Sequence, residues 1–470
     1  RDYSYVGSFY AFAIWIGLGA IGIAEFAKQW ISPKTAAIGA TLICLLVPVL
    51  LLSKEYGAHD RSTKMTPHDM AYNYLISCPP NAILFTYGDN DTYSLWYDQE
   101  VEGIRPDVRI VNLSLFSGDW YIHQMQRKMN ASEPLPITMP YDKYKEGVRD
   151  AIQFYDKKLA GSTDVKEIFD FITSDDDAAK VELQDGSKVN YLPTKAFKLN
   201  INPDELIKDG VIKADQKSRV IDTMKWKYAS NFVTKDNLAF IDILAHNNWK
   251  RPICFTITVG QENMMGLQPY LYKEGFTYRL IPFKPDTASH DQLGKTNTLV
   301  MYDNVMNKFK WGNFKTAKYL DPESTTMFYP VLLSMTLDLT QNLIQEGHND
   351  LALKVIHKYD AEMPDIYPFI DLARSKYYLV ATAYTLNDPA YANRYVNSID
   401  TYVTDQLDYN YNLLQKDAST VDVRTVQIGM SLMNGLQQLS KENHQAAISD
   451  KLQKQLKDYE GKFASILGKQ

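Results

Sequence analysis

The distribution of apolar and polar positions divides the chain into three stretches. From Val6 to Ala24 no residue is charged, and a second uncharged run extends from Thr35 to Ser53. Each is long enough to cross a hydrocarbon layer of roughly 30 Å at about 1.5 Å per helical residue, which predicts a transmembrane hairpin. The short loop between them carries Lys28 and Lys34. The positive-inside rule assigns such a loop to the cytoplasm and everything after about residue 54 to the extracytoplasmic side. Gly17, Gly19 and Gly22 spell a formal GxGxxG. In an apolar run with no strand before it, this pattern reads as close helix–helix packing. A span that starts almost at once after Arg1, with no initiator Met, reads as the C-terminal part of a longer polytopic protein.

Beyond the hairpin, helical and strand-like periods alternate. Thr66 as N-cap and Pro67 as first helical residue start a helix that runs to about Ser77. The apolar run 82–87 predicts a strand, and Asp91 and Thr92 cap a helix lasting to about Val101. Residues 108–115 predict a second strand, and Ser117 or Asp119 starts a third helix. This order implies a parallel strand pair joined by a crossover helix, a Rossmann-like α/β arrangement. Pro134, Pro136 and Pro140 open an irregular insertion to about residue 225, with strand-like runs near 189–191 and 197–201. A helix near 237–246 and an apolar strand at 252–259 then return to the same sheet.

From about residue 325 the period is helical, with helices over 328–345, 350–362, 370–386 and 390–406 and two more between 420 and 467. Gly347 and the helix after it resemble the second half of a tetratricopeptide (TPR) unit. The fold class is therefore α/β plus α: a transmembrane hairpin (1–57), a Rossmann-like α/β domain (58–320) and TPR-like helical hairpins (321–470).

A net charge of -6 without a long basic tract excludes a general nucleic-acid binder. The three cysteines, Cys44, Cys78 and Cys254, have no CxxC spacing, which argues against a structural zinc site. In an extracytoplasmic domain Cys78 and Cys254 are the pair available for a disulfide. HExxH and Walker-type loops are absent, which removes those enzyme classes.

The sharpest polar cluster is Asp89-Asn90-Asp91 at the end of the first predicted strand. The C-terminal edge of a parallel sheet is where such folds bind ligands, and two aspartates spaced DxD could hold a divalent cation. The competing reading is that these short polar residues cap the next helix. Trp96 and Glu100 share a helix face, with Tyr97 and Arg105 nearby, an aromatic–carboxylate set suited to a sugar or peptide. The alternative packs Trp96 into the core and pairs Glu100 with Arg105 or Arg109. Asp119, Trp120 and His123 open the third helix. His123 is a candidate general base without a recognisable nucleophile, or a solvated helix residue.

The segments Gly88-Asp-Asn-Asp-Thr92, Leu95-Trp-Tyr97, Gln99-Glu-Val-Glu-Gly-Ile-Arg105, Asp107-Val-Arg-Ile-Val-Asn-Leu-Ser114, Asp119-Trp-Tyr-Ile122 and Glu274-Gly-Phe-Thr-Tyr-Arg-Leu280 resemble a known family. It is the C-terminal half of multi-spanning membrane proteins of Bacteroidota, long described as a domain of unknown function. These are grouped with protein O-mannosyltransferase-like proteins of the GT-C glycosyltransferase class. The resemblance implies an inner-membrane enzyme using a lipid-linked sugar donor, with this soluble part in the periplasm. The catalytic carboxylate of that class lies in an N-terminal membrane domain that has no counterpart here, so no catalytic residue transfers. The partners implied are the bilayer, the remainder of a polytopic protein or another envelope protein, and a protein or glycan acceptor. The alternative is a non-catalytic periplasmic binding or scaffold module of an envelope complex. No cofactor is implied beyond the cation considered at Asp89 and Asp91.

Overall fold

The computed structural model describes residues 2–284 and 295–467. It divides into two units, Arg1–Lys64 with Thr316–Pro322, and Met65–Lys315 with Glu323–Gln470.

In the first unit α1 (Val6–Ala27) and α2 (Pro33–His59) form a hairpin. The Ser32 hydroxyl caps α2 by accepting from the Thr35 amide. No residue of α1 is buried and only Ala36 and Ala40 of α2 are, so nearly all the apolar surface points outward. Two such helices, each longer than 20 residues, suit association with a bilayer, where lipid takes the place of a protein core. The glycines of α1 do not make the expected seam, since a Cβ at Gly17, Gly19 or Gly22 would meet nothing within 4 Å. The half-buried positions of α1 are Ala20, Ala24 and Ala27, on a different face, so alanine lets the two backbones approach. Segment 316–322 is clasped by charge, with Lys318 pairing with Asp60, and Asp321 with Lys64 (2.9 Å) and Arg61 (3.6 Å).

The second unit begins with α3 (Thr66–Ser77), β1 (Ile83–Thr86), α4 (Asp89–Glu100), β2 (Arg109–Asn112) and α5 (Asp119–Met125). An insertion follows: β3 (Ala151–Phe154), β4 (Thr163–Asp164), α6 (Val165–Thr173), β5 (Lys180–Glu182), β6 (Lys188–Leu192), β7 (Ala196–Asn200), α7 (Pro203–Lys208), β8 (Thr223–Lys227) and β9 (Phe232–Thr234). Then come α8 (Lys235–His246), β10 (Ile253–Thr256), β11 (Leu271–Lys273), β12 (Thr277–Leu280) and α9 (Thr298–Asp303). The tail is helical: α10 (Tyr329–Gln345), α11 (Asn349–Glu362), α12 (Ile370–Thr385), α13 (Pro389–Lys416), α14 (Val423–Glu442) and α15 (Ala446–Leu467).

The central sheet has the order β11-β12-β10-β1-β2, with β1 parallel to both β2 and β10 and the outer pair antiparallel. Every residue of β1, β2 and β10 is buried, as expected of parallel strands covered on both faces. Phe85 stacks on Phe255 at 5.2 Å and meets Phe240 of α8 edge-on at 4.9 Å. On the other face lie Cys78, at the end of α3, and Cys254, buried neighbours that remain free thiols; their contact, with burial, pushes the Cys254 thiol well up.

The insertion is more ordered than its sequence suggests. It builds two small sheets, β5-β6-β3-β9 and β4-β7-β8, flanked by α6, whose Val165, Ile168, Phe169 and Ile172 are buried. The stretch from Pro134 to Pro140 is held by Asp242 of α8. Its carboxylate accepts from the Thr138 and Met139 amides (2.8 and 3.0 Å) and the Thr138 hydroxyl (2.9 Å), and pairs with His246. In the tail Lys376 is fully buried. Its ammonium donates to Asp365 (2.6 Å) and the Ile366 carbonyl, and lies 4.2 Å from the Tyr367 ring centroid.

Asp242 yields a stability prediction. Asp242→Ala leaves two backbone amides and a hydroxyl buried without an acceptor. Urea denaturation is expected to read a loss of about 3 kcal/mol, a large share of the roughly 5–15 kcal/mol typical of a domain.

Candidate functional site

Parallel pairing brings the C-terminal ends of β1, β2 and β10 together, each ending on a buried polar residue: Thr86, Asn112 and Thr256. Thr86 shares a hydroxyl bond with Thr92 (2.7 Å). Thr92 and the Asn112 amide both donate to the Gly88 carbonyl, at 2.6 and 2.9 Å. Gly88 stands at φ 82°, ψ 178°, a conformation essentially reserved for glycine, and it is the N-cap of α4. The turn therefore depends on glycine's freedom, and the polar ring beneath fixes where α4 begins.

Asp89, Asn90 and Asp91 form the first turn of α4, and none of them caps it. Asp91 is drawn instead to the neighbouring strand, accepting from the Thr258 hydroxyl and, at 3.5 Å, from Thr256. The expected capping role is thus replaced by a bond to the turn that follows β10. Burial raises the proton affinity of Asp91 against the pull of these hydroxyls. Tyr74 of α3, wholly buried, also bonds Thr258; burial and the adjacent Asp91 charge push its phenol well up.

These residues border a cavity of about 350 Å³. Its apolar wall is Met70 and Ala71 from α3 and Met327, Phe328 and Val331 around the start of α10. Its polar side is Asp89, Asn90, Asp91, Ser94, Thr258 and Glu323, with Tyr93 between. Hydrogen-bond acceptors thus converge opposite an apolar surface, a composition that holds a ligand with both hydroxyl or amine groups and a C–H face. No His or Cys among the described residues lines the cavity. Among the described residues no three His, Cys, Asp or Glu side chains could hold a metal ion.

The other sequence candidates lie apart from this cavity. Trp96 packs partly into the core and against Tyr93. Glu100 accepts from Asn130 (2.6 Å) rather than pairing with Arg105 or Arg109. Arg105 is structural: it donates to the carbonyls of Leu75, Cys78 and Pro79 at the end of α3 and pairs with Asp107 at 2.8 Å. Arg109 is buried and directed to the Arg127, Ser132 and Glu133 carbonyls. On α5, Asp119 accepts from the Tyr141 hydroxyl, which holds its carboxyl below the usual range, and His123 bonds Arg127. Trp120 is 58% exposed, its ring edge-on to Tyr121.

A second polar cluster escaped the sequence reading. His68 of α3 bonds Asp69 (2.7 Å) and Glu102 (2.9 Å), the latter also bonded by Tyr97. Beside them Asp98 of α4 is fully buried, and neither carboxyl oxygen has a partner. Burial, opposed by the His68 charge and aided by Glu102, raises Asp98 to about 6. Burial alone would lower His68, but Asp69, Glu102 and Asp98 outweigh it and leave it raised.

Residues 67–300 match the family model described as TMEM260-associated domain 2. This segment is a TMEM260-like domain. The mouse (Mus musculus) protein O-mannosyl-transferase TMEM260 is 34% identical to this chain over 75 residues, 16% of this chain and 11% of that protein. The match thus spans about a tenth of that relative's length. No solved structure matches. The TMEM260-like domain contains the central sheet, the Gly88 turn, Asp91 and Thr258, whereas Glu323, Met327, Phe328 and Val331 of the cavity wall lie beyond its matched end.

Two predictions follow from this geometry. Gly88→Ala forces a side chain into a glycine-only conformation and is expected to cost about 1–3 kcal/mol, measured by denaturant unfolding. Asp98→Asn mimics the protonated acid. A raised folded-state pKa means that wild type loses this contribution as pH rises from about 4 through about 6. In pH-resolved thermal melts the variant is expected to match wild type near the bottom of that window and exceed it above the top.

Proposed function

We propose that this chain is the membrane-anchored C-terminal portion of a GT-C-like glycosyltransferase using a lipid-linked sugar donor, and that its TMEM260-like domain binds or positions the acceptor. The observation that carries this reading is the Asp91 cavity at the C-terminal edge of the parallel strands, inside a domain related to a protein O-mannosyl-transferase. That edge is the usual ligand site of α/β sheets. The cavity's acceptors and apolar wall suit an acceptor chain bearing hydroxyls. Chemistry is assigned to a membrane domain outside this sequence.

In this reading residues 1–57 are a transmembrane hairpin, 58–320 a Rossmann-like domain and 321–470 TPR-like hairpins. Three observations support it: the two apolar helices, the parallel β2-β1-β10 core, and the successive helix pairs α10–α11, α12–α13 and α14–α15. The setting is the inner membrane of a member of the Bacteroidota, with the soluble part in the periplasm. The remaining sequence candidates, Trp96, Tyr97, Glu100, Arg105, Asp119, Trp120 and His123, support the domain's frame and surface rather than its ligand cavity.

A scaffold reading is favoured by one feature, a groove of about 720 Å³ between α10 and α12 that includes Leu333, Leu337, Tyr378 and Ala381. The two readings separate in cells that express the full-length protein. Asp91→Asn combined with Thr258→Val is expected to leave membrane levels unchanged and to lower O-linked mannose on envelope proteins about tenfold, read by glycopeptide mass spectrometry. Unchanged glycosylation in cells lacking the protein altogether would sink the transferase reading.

A further inference from the structure

At the opposite edge of the central sheet, where β10 begins and β12 ends, lies a second cavity of about 240 Å³. Its floor is apolar: Leu199, Ile201, Leu206, Leu244, Ile253 and Leu280. Its rim is formed by Asn200, Asn202, Glu205 and the turn Asn247-Asn248-Trp249 that follows α8. It falls below the roughly 300–1,000 Å³ of pockets for drug-sized ligands, which suits a single small ring.

The turn closes through the Lys250 amide to the Asn247 carbonyl (3.0 Å), and both Asn247 side-chain ends bond the Arg251 backbone. Asn248 and Trp249 stand at φ 46° and 60°. Asparagine tolerates that region, but for a bulky residue it is an outlier, and glycine would serve a turn of this kind better. Strain of this sort persists where the surrounding fold enforces it, and it concentrates at ligand clamps. Here it holds a half-buried indole at the cavity, braced against the core.

Some rim groups are engaged. Asn202 caps α7 by accepting from the Asp204 amide, and Asn200 bonds Asp164 at 3.2 Å. Others are not: the Asn248 amide, the Glu205 carboxylate and the Trp249 indole N–H have no hydrogen-bond partner among the described residues. Among the described residues no Lys or Arg lines the cavity, which disfavours phosphates and nucleotides as ligands. What remains is an aromatic face beside unpaired donors and acceptors, the chemistry of an uncharged polyhydroxylated ring.

We propose that this cavity is a saccharide site, with one pyranose unit laid against Trp249 and its hydroxyls taken by Asn248 and Glu205. The inference rests on the glycosyltransferase reading only for mannose as first probe, and it adds a sugar-holding site distinct from the Asp91 cavity.

The test uses the full chain in lipid nanodiscs, free of glycoside detergents, titrated with methyl α-D-mannopyranoside and followed by saturation-transfer NMR. Wild type is expected to bind in the millimolar range. Trp249→Gly, which suits the turn's backbone but gives up the indole's packing, is expected to weaken binding at least tenfold in protein that still folds. If Trp249→Gly does not fold, Glu205→Gln at an exposed position carries the same test, with a weaker loss expected. Absence of binding to this glycoside and to methyl α-D-glucopyranoside, or binding that neither variant alters, overturns the proposal. Either result leaves the Asp91 reading standing, because that is read separately by glycosylation in Asp91→Asn/Thr258→Val cells. Loss of glycosylation there with mannoside binding intact separates the two sites.

Discussion

The second unit depends on one pairing, the parallel register of Ile83–Phe85 on Ile253–Phe255, made across about 170 residues of chain. Parallel strands cannot be joined by a tight turn, so the intervening chain must leave the sheet and return. Here it contributes β2, the two small sheets and α8 before it does so. Closing this register sets Phe85 on Phe255 and Cys78 beside Cys254, and it carries Thr256 and Thr258 to Asp91. The Asp91 cavity and the Trp249 cavity lie at the two ends of the same strand, so both presuppose it.

Elements whose side chains report a single period were legible in the sequence. The strands 83–86 and 253–256 are apolar up to a closing threonine, 109–112 lies in a stretch rich in Val, Ile and Leu, and the tail helices repeat at 3.6 residues, so type and order could be read. The insertion was legible only in part: the runs near 189–191 and 197–201 correspond to β6 and β7, whereas strands such as Thr163–Asp164 and Lys180–Glu182 are two or three residues long and half exposed. They carry no period and are fixed by partners far away in sequence. Helix α13 runs ten residues past its expected end at 406, to Lys416, since Leu407 and Asn410 find tertiary cover that a local pattern does not register.

At the candidate site, Asp89, Asn90 and Asp91 were found because a polar triplet after an apolar strand is a local signal. Tyr74, Thr258 and Met327 were not, since each joins the cavity through tertiary packing alone. The Asp91 side chain also misled locally: its position in a first helical turn suggests capping, while the turn after β10 decides the bond. The pairing of Glu100 with Arg105 does not form for a similar reason, because Arg105 is taken by backbone carbonyls, which leave no trace in residue type, and by Asp107.

Two buried charges show how the unit divides its rigidity. Burial lowers the proton affinity of Lys376, and Asp365, a carbonyl and an aromatic ring oppose that loss while pinning α12 where it lies. Asp98 has no such cover: its oxygens are unpaired, and burial raises its proton affinity against the opposing charge of His68. A protonation change therefore acts on the contact between α3 and α4, whereas the tail helix has no equivalent freedom. Those same two helices line the Asp91 cavity, through Met70 and Tyr74 on one and Asp89, Asp91 and Ser94 on the other. The acidic cluster and the cavity thus share a helix pair, and any shift of α4 against α3 changes the width between the apolar wall and the carboxylates. The helix pair that lines the Asp91 cavity is the one that carries Asp98, a buried carboxylate with neither oxygen hydrogen-bonded.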